Sequence, residues 1–421
     1  MIRLGAVADD VTGACDLAGR VAEAGVTASV LLGTPSSADG VFPAEGSGCA
    51  VVALKMRTAP VADAVAASAA AARLLLSAGA TQLYQKYCST FDSTPAGNIG
   101  PIADALASAA GAPATLGTPA TPGAGRTQYQ GTLFVDGVPL AESPMRDHPL
   151  TPMRDSNLLR LLAPQTPAPV GLIRWEDVQR GPDAVAALVR DGHMLVDALT
   201  EADLDVIAEA ILRQAAEGPV LAGGGAGVAT ALARADVRAA GARPDGHAAL
   251  PHVPVTGRLV LAGSASAATR GQIAAFRGER HLLDPLELAH DPGALNRTKD
   301  ALAARRDALS PVLVHVSPEV AAAQSTLGAS RSAALLEGAL AELAAFAVHE
   351  LGVSHVLVAG GETSGAVTAR LGLERLLIGA QAAPGVPWAV SLSAGRTIAV
   401  LLKSGNFGGP SLFSDAWEAA P

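Results

Sequence analysis

Short apolar runs alternate with longer helical patterns along most of this 421-residue chain. Run length separates the two, because strands are about four to eight residues long and helices about ten or more. The predicted strands cover residues 3–8, 27–32, 50–54, 82–87, 193–197, 258–262, 311–316, 355–359 and 396–402, and the predicted helices cover 60–78, 201–217 and 332–350. Such alternation is typical of mostly parallel sheets with helices on both faces.

This pattern breaks in two places. Residues 236–257 carry Gly, Pro, His and isolated charges, and we assign the linker to 241–257. The sequence therefore predicts two α/β domains, 1–240 and 258–421, with an active-site cleft between them. The second break, 113–170, is predicted to be irregular and functional, because long structureless stretches within a domain are uncommon.

Composition and charge narrow the classes of function. Hydrophobic residues make up 49% of the chain and charged residues 16%, which excludes an intrinsically disordered protein. A net charge of −9 argues against a nucleic-acid or anionic-membrane partner. Cys15, Cys49 and Cys88 form no CxxC pair or zinc spacing, which favours a reducing compartment. Without a signal peptide or a long apolar run, we expect a cytoplasmic protein.

Two adjacent carboxylates, Asp9 and Asp10, directly follow the first predicted strand, and Asp16 lies close behind them. Open α/β sheets place ligands at the carboxyl ends of their strands, so these side chains are candidates for a binding site. Asp residues at this position also cap helices, and that interpretation stays open for either residue taken alone.

A polar segment follows the strand predicted at 82–87. Within residues 86–100 it brings together Lys86, four hydroxyl side chains, Asp92 and Asn98. Hydroxyl and amide groups can bind a small carboxylate or polyol, and Lys86 adds a positive point charge. An ordinary turn would not need the flanking Lys and Asp.

A third polar segment lies inside the irregular region. It contains Arg126 and, further on, Arg146 and His148 among several prolines. Because guanidinium groups match the geometry of carboxylates, the two arginines predict an anion clamp, whereas His148 alone carries little weight.

The C-terminal half contains three glycine-rich turns, each after a predicted strand, at residues 262–269, 359–365 and 403–408. Glycine lets a backbone approach phosphate closely, and helix N-termini favour negative charge. The chain has neither the P-loop nor the dinucleotide-binding fingerprint. Residue patterns alone thus indicate a small-molecule kinase whose substrate is an acid.

The same residues resemble the four-carbon acid sugar kinase family, and above all its 3-oxo-tetronate kinase branch. The resemblance runs from residue 2 to about residue 414, with long matches at 8–16, 86–101, 125–135 and 139–158. In the C-terminal half the matching segments are AGSASAAT, AGGETSG, APGVPW and LKSGNFG.

The resemblance implies an N-terminal acid-sugar-binding domain and a C-terminal ATP-binding domain without a Walker motif. The implied reaction moves the γ-phosphoryl group of ATP, with Mg²⁺, to the 4-hydroxyl of a 3-oxo-tetronate. A carboxylate must orient or deprotonate that hydroxyl, and Asp10 and Asp92 are both candidates. The implied substrate contacts are Asp9, Lys86, Ser89, Thr90, Asn98 and Arg126, and the implied nucleotide contacts are Ser264, Gly360, Gly361, Glu362, Thr363, Ser364, Gly365 and Gly405. No residue is assigned to the metal.

One departure from the family bears on the substrate. Many members carry Leu-Arg where this chain has Pro95-Ala96, and the loss of a cation argues against plain tetronates. The alternatives are a D-erythronate, D-threonate or L-threonate kinase, a nicotinamide-dependent acid-sugar dehydrogenase, and a non-catalytic acid-sugar sensor. A homo-oligomer is left open.

Overall fold

The computed structural model describes residues 1–43, 46–147, 151–241, 250–305, 309–316, 326–393 and 395–421. The chain divides into two compact units, Met1–His247 and Ala248–Pro421. Residues 242–249, about half of the predicted linker, lie outside the described residues. Val253, within the remainder of that linker, is buried in the hydrophobic core of the second unit. The domain boundaries of the sequence analysis stay predictions.

The first unit is built on one parallel sheet and one small antiparallel sheet. Its strands are β1 (Arg3–Ala8), β2 (Thr27–Leu32), β3 (Gly48–Ala53), β4 (Gln82–Lys86), β5 (Ala114–Thr118), β6 (Arg126–Tyr129), β7 (Thr132–Val135), β8 (Val138–Pro139), β9 (Val170–Ile173), β10 (Gly192–Val196) and β11 (Val220–Gly224). Eight of them form the parallel sheet in the order β2-β3-β1-β4-β11-β5-β10-β9. Strands β1, β3 and β4 therefore end side by side at one edge.

Strands β6, β7 and β8 form the antiparallel sheet, and they lie inside the region predicted to be irregular. That prediction was wrong over these strands. Their two turns place Gln130 and Gly131, and Asp136 and Gly137, at positive φ, as tight hairpin turns require. The many prolines of this region indicate irregular structure and obscure the two short hairpins.

Helices cover the parallel sheet of the first unit. They are α1 (Val11–Glu23), α2 (Val61–Ser77), α3 (Ile99–Ala110), α4 (Leu158–Leu162), α5 (Trp175–Val178), α6 (Pro182–Ala187), α7 (Glu201–Glu217) and α8 (Ala226–Ala239). Thr200 caps α7 in a reciprocal pair with Asp203, which confirms the predicted start of that helix. Helix α8 continues to Ala239, past the first positions of the predicted break. Leu75 of α2 and Leu106 of α3 are fully buried in one core cluster.

The second unit has a sheet of seven strands in the order β13-β14-β12-β15-β18-β17-β16. They are β12 (Arg258–Ala262), β13 (Glu279–Leu283), β14 (Val312–Val316), β15 (His355–Ala359), β16 (Arg375–Ala383), β17 (Val386–Ser393) and β18 (Arg396–Lys403). The first five in the sheet order are parallel, and β16 and β17 add antiparallel pairs beside β18. Strands β12, β15 and β18 are neighbours, so the chain segments after them meet at one edge.

The helices of the second unit are α9 (Ala267–Ala275), α10 (Pro285–His290), α11 (Ala294–Ala303), α12 (Ala329–Ala345), α13 (Gly361–Arg370) and α14 (Leu412–Asp415). A π-helical turn, Phe346–Glu350, extends α12 to the end of the predicted helix 332–350. By length and composition Arg331–Glu350 could cross a membrane, but 56% of its most apolar window is buried inside the protein. A buried core helix passes the same test.

Candidate functional site

The carboxyl edge of the first sheet gathers three carboxylates around Arg57. Asp9 and Asp10 follow β1, and Arg57 follows β3. The Arg57 Nε and Nη2 atoms each donate to Asp9, both over 2.9 Å, and Nη2 also donates to Asp10 Oδ2. Its Nη1 atom lies 3.7 Å from Asp92 Oδ2. One planar guanidinium thus joins its own segment to two others and holds their three carboxylates in fixed positions.

Asp10 is engaged on both of its oxygens. Its Oδ1 accepts from the Gly13 backbone as the N-cap of α1 and from Thr12 Oγ1 over 3.3 Å. Burial by itself would raise the pKa of Asp10, but Arg57, Lys86 and these hydrogen bonds outweigh it. The net effect lowers the pKa, so Asp10 is ionised at neutral pH.

Lys86, the last residue of β4, supplies a second cation beside Asp10. Its side chain is only 3% exposed, and Nζ donates to the Tyr87 carbonyl oxygen over 2.9 Å. A Cβ atom on Gly13 would lie 3.2 Å from Lys86 Nζ and 2.8 Å from Asp10 Oδ1. The close approach of α1 to the lysine therefore needs glycine at position 13.

Asp92 is buried but less fully engaged than Asp10. Its Oδ1 accepts from Thr90 Oγ1 over 2.6 Å, whereas within the described chain Oδ2 has only the longer contact with Arg57. Phe91, which lies between Thr90 and Asp92 in the chain, has φ 53° and packs edge-on against the Tyr87 ring, with 5.4 Å between the ring centroids. This buried turn fixes where the Asp92 carboxylate lies.

Asn98 anchors the segment that carries Arg57. Its Nδ2 donates to the carbonyl oxygens of Met56 and Ala59 over 2.6 and 2.9 Å. Its Oδ1 is buried without a hydrogen-bond partner among the described residues. Asn98 therefore acts on the cluster through Arg57 and also offers one free acceptor.

Other candidates lie apart from the cluster. The hydrogen bonds given by Arg126 stay near its own hairpin, where Nη1 donates to the Ala124 carbonyl, and its buried Nε has no partner within the described chain. Ser89 is half-buried. Asp16 accepts from Arg20 Nε over 2.7 Å along one face of α1, which is a structural ion pair. Arg146 is exposed, and no contact joins it to Arg126 in the described part of the chain.

The predicted His148 lies outside the described residues, as do Pro149 and Leu150. Cys15, Cys49 and Cys88 are free thiols. Burial raises the pKa of Cys88 to about 12, so its thiol stays protonated beside Thr90. This protonation state makes Cys88 a packing residue of the site and a weak nucleophile.

In the second unit, the three predicted glycine-rich turns come together. The Ser264 N–H donates to the Ala359 carbonyl over 3.1 Å, and the Gly360 N–H donates to the Lys403 carbonyl over 2.9 Å. A Cβ atom on Gly405 would lie 2.4 Å from Ser264 Oγ. Gly360 has φ 125°, a conformation that favours glycine. These close approaches explain why small residues occupy the turns.

Three donors converge on the carbonyl oxygen of Gly405. They are Ser266 Oγ at 2.5 Å, Thr269 Oγ1 at 2.9 Å and Lys403 Nζ at 3.0 Å. Lys403 Nζ also donates to Thr269 Oγ1 over 2.9 Å. This network fixes the turn after β18 against the N-terminus of α9.

The remaining predicted nucleotide contacts belong to the turn after β15 and the first residues of α13. Thr363 and Ser364 are buried, and Ser364 Oγ has no hydrogen-bond partner among the described residues. Gly361, Glu362 and Gly365 are half-buried. An orphaned hydroxyl within glycine turns suits a ligand that has hydrogen-bonding oxygens, such as a phosphate chain.

Sequence reasoning missed two residues of these sites. Arg57 lies four positions after β3. Its position after a predicted strand is the same signal that identified Asp9, so the sequence could have revealed it. Lys403 stands inside the predicted turn 403–408, but its burial is visible only in the folded chain.

Comparison with known proteins places the chain in a family. One family model, a sugar-binding N-terminal domain, matches residues 4–232, and another, a nucleotide-binding C-terminal domain, matches residues 259–413. The chain is 44% identical to a 3-oxo-tetronate kinase of Burkholderia multivorans, across 99% of this chain and 97% of that protein. The chain belongs to the four-carbon acid sugar kinase family.

Two further members of the family extend the comparison. A 3-oxo-tetronate kinase of Methylobacterium radiotolerans is 46% identical, with 99% of each chain covered. The crystal structure of Haemophilus influenzae protein HI1011 is 35% identical, with a TM-score of 0.74 over 98% of this chain and 99% of that one. The predicted fold class, two α/β domains with mostly parallel sheets, is thereby confirmed.

Proposed function

We propose that this chain is a 3-oxo-tetronate 4-kinase of the cytoplasm. It transfers the γ-phosphoryl group of ATP to the 4-hydroxyl of 3-oxo-tetronate and yields 3-oxo-tetronate 4-phosphate. The observation that carries the proposal is the match, over nearly the full chain, to relatives named 3-oxo-tetronate kinase. The charged cluster of the first unit, in which Arg57 and Lys86 lie among three carboxylates, would bind the acid. The glycine turns of the second unit would bind the phosphates of ATP.

On the acceptor side, we assign Asp92 rather than Asp10 to the 4-hydroxyl. Both oxygens of Asp10 are committed, one to the N-cap of α1 and one to Arg57. Among the described residues, the one partner of Asp92 Oδ2 is Arg57, at 3.7 Å, so this oxygen can accept a hydrogen bond from a hydroxyl group. A carboxylate that accepts this proton orients the attacking oxygen for in-line transfer.

Lys86 is the proposed partner of the substrate carboxylate. Only one of its three N–H donors is used among the described residues, on the Tyr87 carbonyl. The free Oδ1 of Asn98 and the hydroxyls of Ser89 and Thr90 suit the polar substrate groups. Asp9 acts through Arg57, and Arg126 contributes through its unpartnered Nε.

On the nucleotide side, the N–H groups and the Ser364 hydroxyl of the three turns would hold the phosphate chain of ATP. The described residues contain no group of three or more His, Cys, Asp or Glu side chains that could hold a metal ion. Mg²⁺ therefore fits this protein as a companion of ATP, held mainly by phosphate oxygens and water. Its chemistry, when bound, is to neutralise charge on the transferring group.

The test is ATP consumption with Mg²⁺ and 3-oxo-tetronate, D-erythronate, D-threonate or L-threonate at equal concentrations. We expect turnover with the 3-oxo acid alone, because a site that binds a keto oxygen rejects a hydroxyl strongly. Pro95 and Ala96 are exposed, so packing does not explain why they replace the Leu-Arg pair of many family members. The substrate panel tests whether this replacement changes the substrate. Turnover with a plain tetronate would support a kinase but contradict 3-oxo-tetronate as its substrate. No turnover with any of the four acids would favour a non-catalytic acid-sugar sensor.

A further inference from the structure

Lys403 is a fully buried lysine, with 0% of its surface exposed, at the carboxyl end of β18. Its Nζ donates to Thr269 Oγ1 and to the Gly405 carbonyl, and lies 5.9 Å from the Phe413 ring centroid. The proposed mechanism does not use its charge. A buried ammonium is costly unless an anion lies nearby, so this position needs an explanation.

No carboxylate among the described residues forms an ion pair with Lys403. The charged groups on the surrounding helices are Arg270 on α9, Glu362 and Arg370 on α13, and Asp415 on α14, and all but Glu362 are exposed. Burial alone lowers the pKa of Lys403 to about 7. In the free protein this side chain is therefore largely neutral above neutral pH.

We propose that Lys403 takes up a proton when the phosphate chain of a nucleoside triphosphate binds at the turns that carry Ser264, Gly360 and Gly405. This inference rests on the proposed kinase function. The proton moves from solvent to Nζ, and the bound phosphates supply the negative charge that the protein itself does not. Opposite charges attract strongly where water is excluded, so the protonated lysine and the phosphates stabilise each other.

The position of Lys403 supports this coupling. It bonds the same carbonyl oxygen as Ser266 and Thr269, so it holds the turn in which Gly405 approaches Ser264. A phosphate bound at these turns would therefore lie next to the network in which Lys403 is the buried amine that can take up a proton. Lys403 is thus a positioning residue whose charge depends on the nucleotide.

The test is isothermal titration calorimetry of the full chain with Mg²⁺ and a non-hydrolysable ATP analogue. Titrations at pH 8 in two buffers with different ionisation enthalpies measure the protons taken up on binding. We expect uptake of most of one proton, and an affinity that weakens up to about tenfold from pH 8 to pH 9. Adenosine, which lacks phosphates, should bind without proton uptake.

The variant Lys403→Met removes the cation at similar length and should abolish the uptake. Lys299→Met is the matched control, because Lys299 pairs with Glu342 and contacts none of the glycine turns. If Lys403→Met does not fold, the proton uptake of the unaltered protein with the ATP analogue and with adenosine still tests the proposal. Binding of the analogue without proton uptake overturns this inference and leaves the kinase standing. No binding of the analogue overturns both.

Discussion

The two candidate sites balance their charges in opposite ways. In the first unit, Arg57 and Lys86 lie among Asp9, Asp10 and Asp92, so the charges are paired before any substrate arrives. In the second unit, hydroxyl groups and carbonyl oxygens dominate, and Lys403 has no acidic partner among the described residues. In the first site each charged group thus has a partner within the free protein. In the second site a protonated Lys403 would have no acidic partner among the described residues.

This difference indicates how each site would recognise its ligand. A small acid needs fixed geometry, which a planar guanidinium shared by three carboxylates supplies. A phosphate chain brings several negative charges of its own, so a site with N–H donors and one buried amine that can take up a proton can receive it. Acceptor recognition should therefore depend on Arg57, and nucleotide recognition on the glycine turns.

The largest expected effect is on the acceptor side. Asp92→Asn should lower kcat by about 10²–10⁴, because the group that orients the 4-hydroxyl is lost. Asp10→Asn should cost less, since Asn still caps α1. Steady-state kinetics on both variants checks this, with urea unfolding as the control for folding. A greater loss for Asp10→Asn would reverse the assignment of the two carboxylates.

Arg57→Met should destabilise the first unit by about 3–5 kcal/mol, because it leaves clustered buried carboxylates without their cation. Arg57→Lys should restore little, since an ammonium cannot pair with Asp9 through two parallel bonds. Urea unfolding measures both. The control, Arg160→Met, breaks an exposed ion pair with Asp155 and should change stability far less. Equal losses for Arg57→Met and the control would contradict the shared role of Arg57.

Gly405→Ala should weaken nucleotide binding about tenfold, because the new Cβ atom would lie 2.4 Å from Ser264 Oγ. The acid-sugar KM should not change, since the variant alters only the turns of the second unit. Gly409→Ala, at a position with nothing within 4 Å, is the matched control. Calorimetry with an ATP analogue compares the two, and similar affinities for both variants would count against the turns as the nucleotide site.

The last prediction concerns the effect of pH on the free protein. The folded pKa of Lys403, about 7, is below its ordinary value, so the unfolded chain binds more protons between pH 7 and 10. Stability should therefore rise with pH in this window, by up to about 1.4 kcal/mol per pH unit from this group. Urea unfolding at pH 7, 8 and 9 measures the slope. Lys403→Met should flatten it and Lys299→Met should not; a slope unchanged by Lys403→Met would show that Lys403 is not buried as described.

Much of the fold could be predicted from local pattern. The strand predictions 3–8, 27–32, 258–262 and 355–359 agree with the structure to the residue, because buried parallel strands are short, continuous apolar runs. The predictions did not include the parallel strands β5, β9, β11 and β13, the antiparallel strands β6 to β8, or the antiparallel β16 and β17. Their stability comes from pairing with neighbours, which residue composition does not reveal.

The candidate site was predicted only in part, and the reason is the same. Asp9, Asp10 and Asp92 were found because each follows a predicted strand, and Lys86 because it lies at the end of one, where a polar segment begins. Arg57 was overlooked, although the structure makes it the residue that joins the others. Its segment is held by Asn98, 41 positions further along the chain, through bonds to two carbonyl oxygens.

The sequence by itself determined the chemistry of each segment: which turns carry carboxylates, which carry glycine, and that no P-loop is present. Only the tertiary structure decided which segments meet. Strand order placed β3 beside β1 and β18 beside β15, and so brought Arg57 to the carboxylates and Lys403 to the glycine turns. Strand order follows from backbone pairing and core packing between distant parts of the chain, whereas residue pattern records only what is nearby.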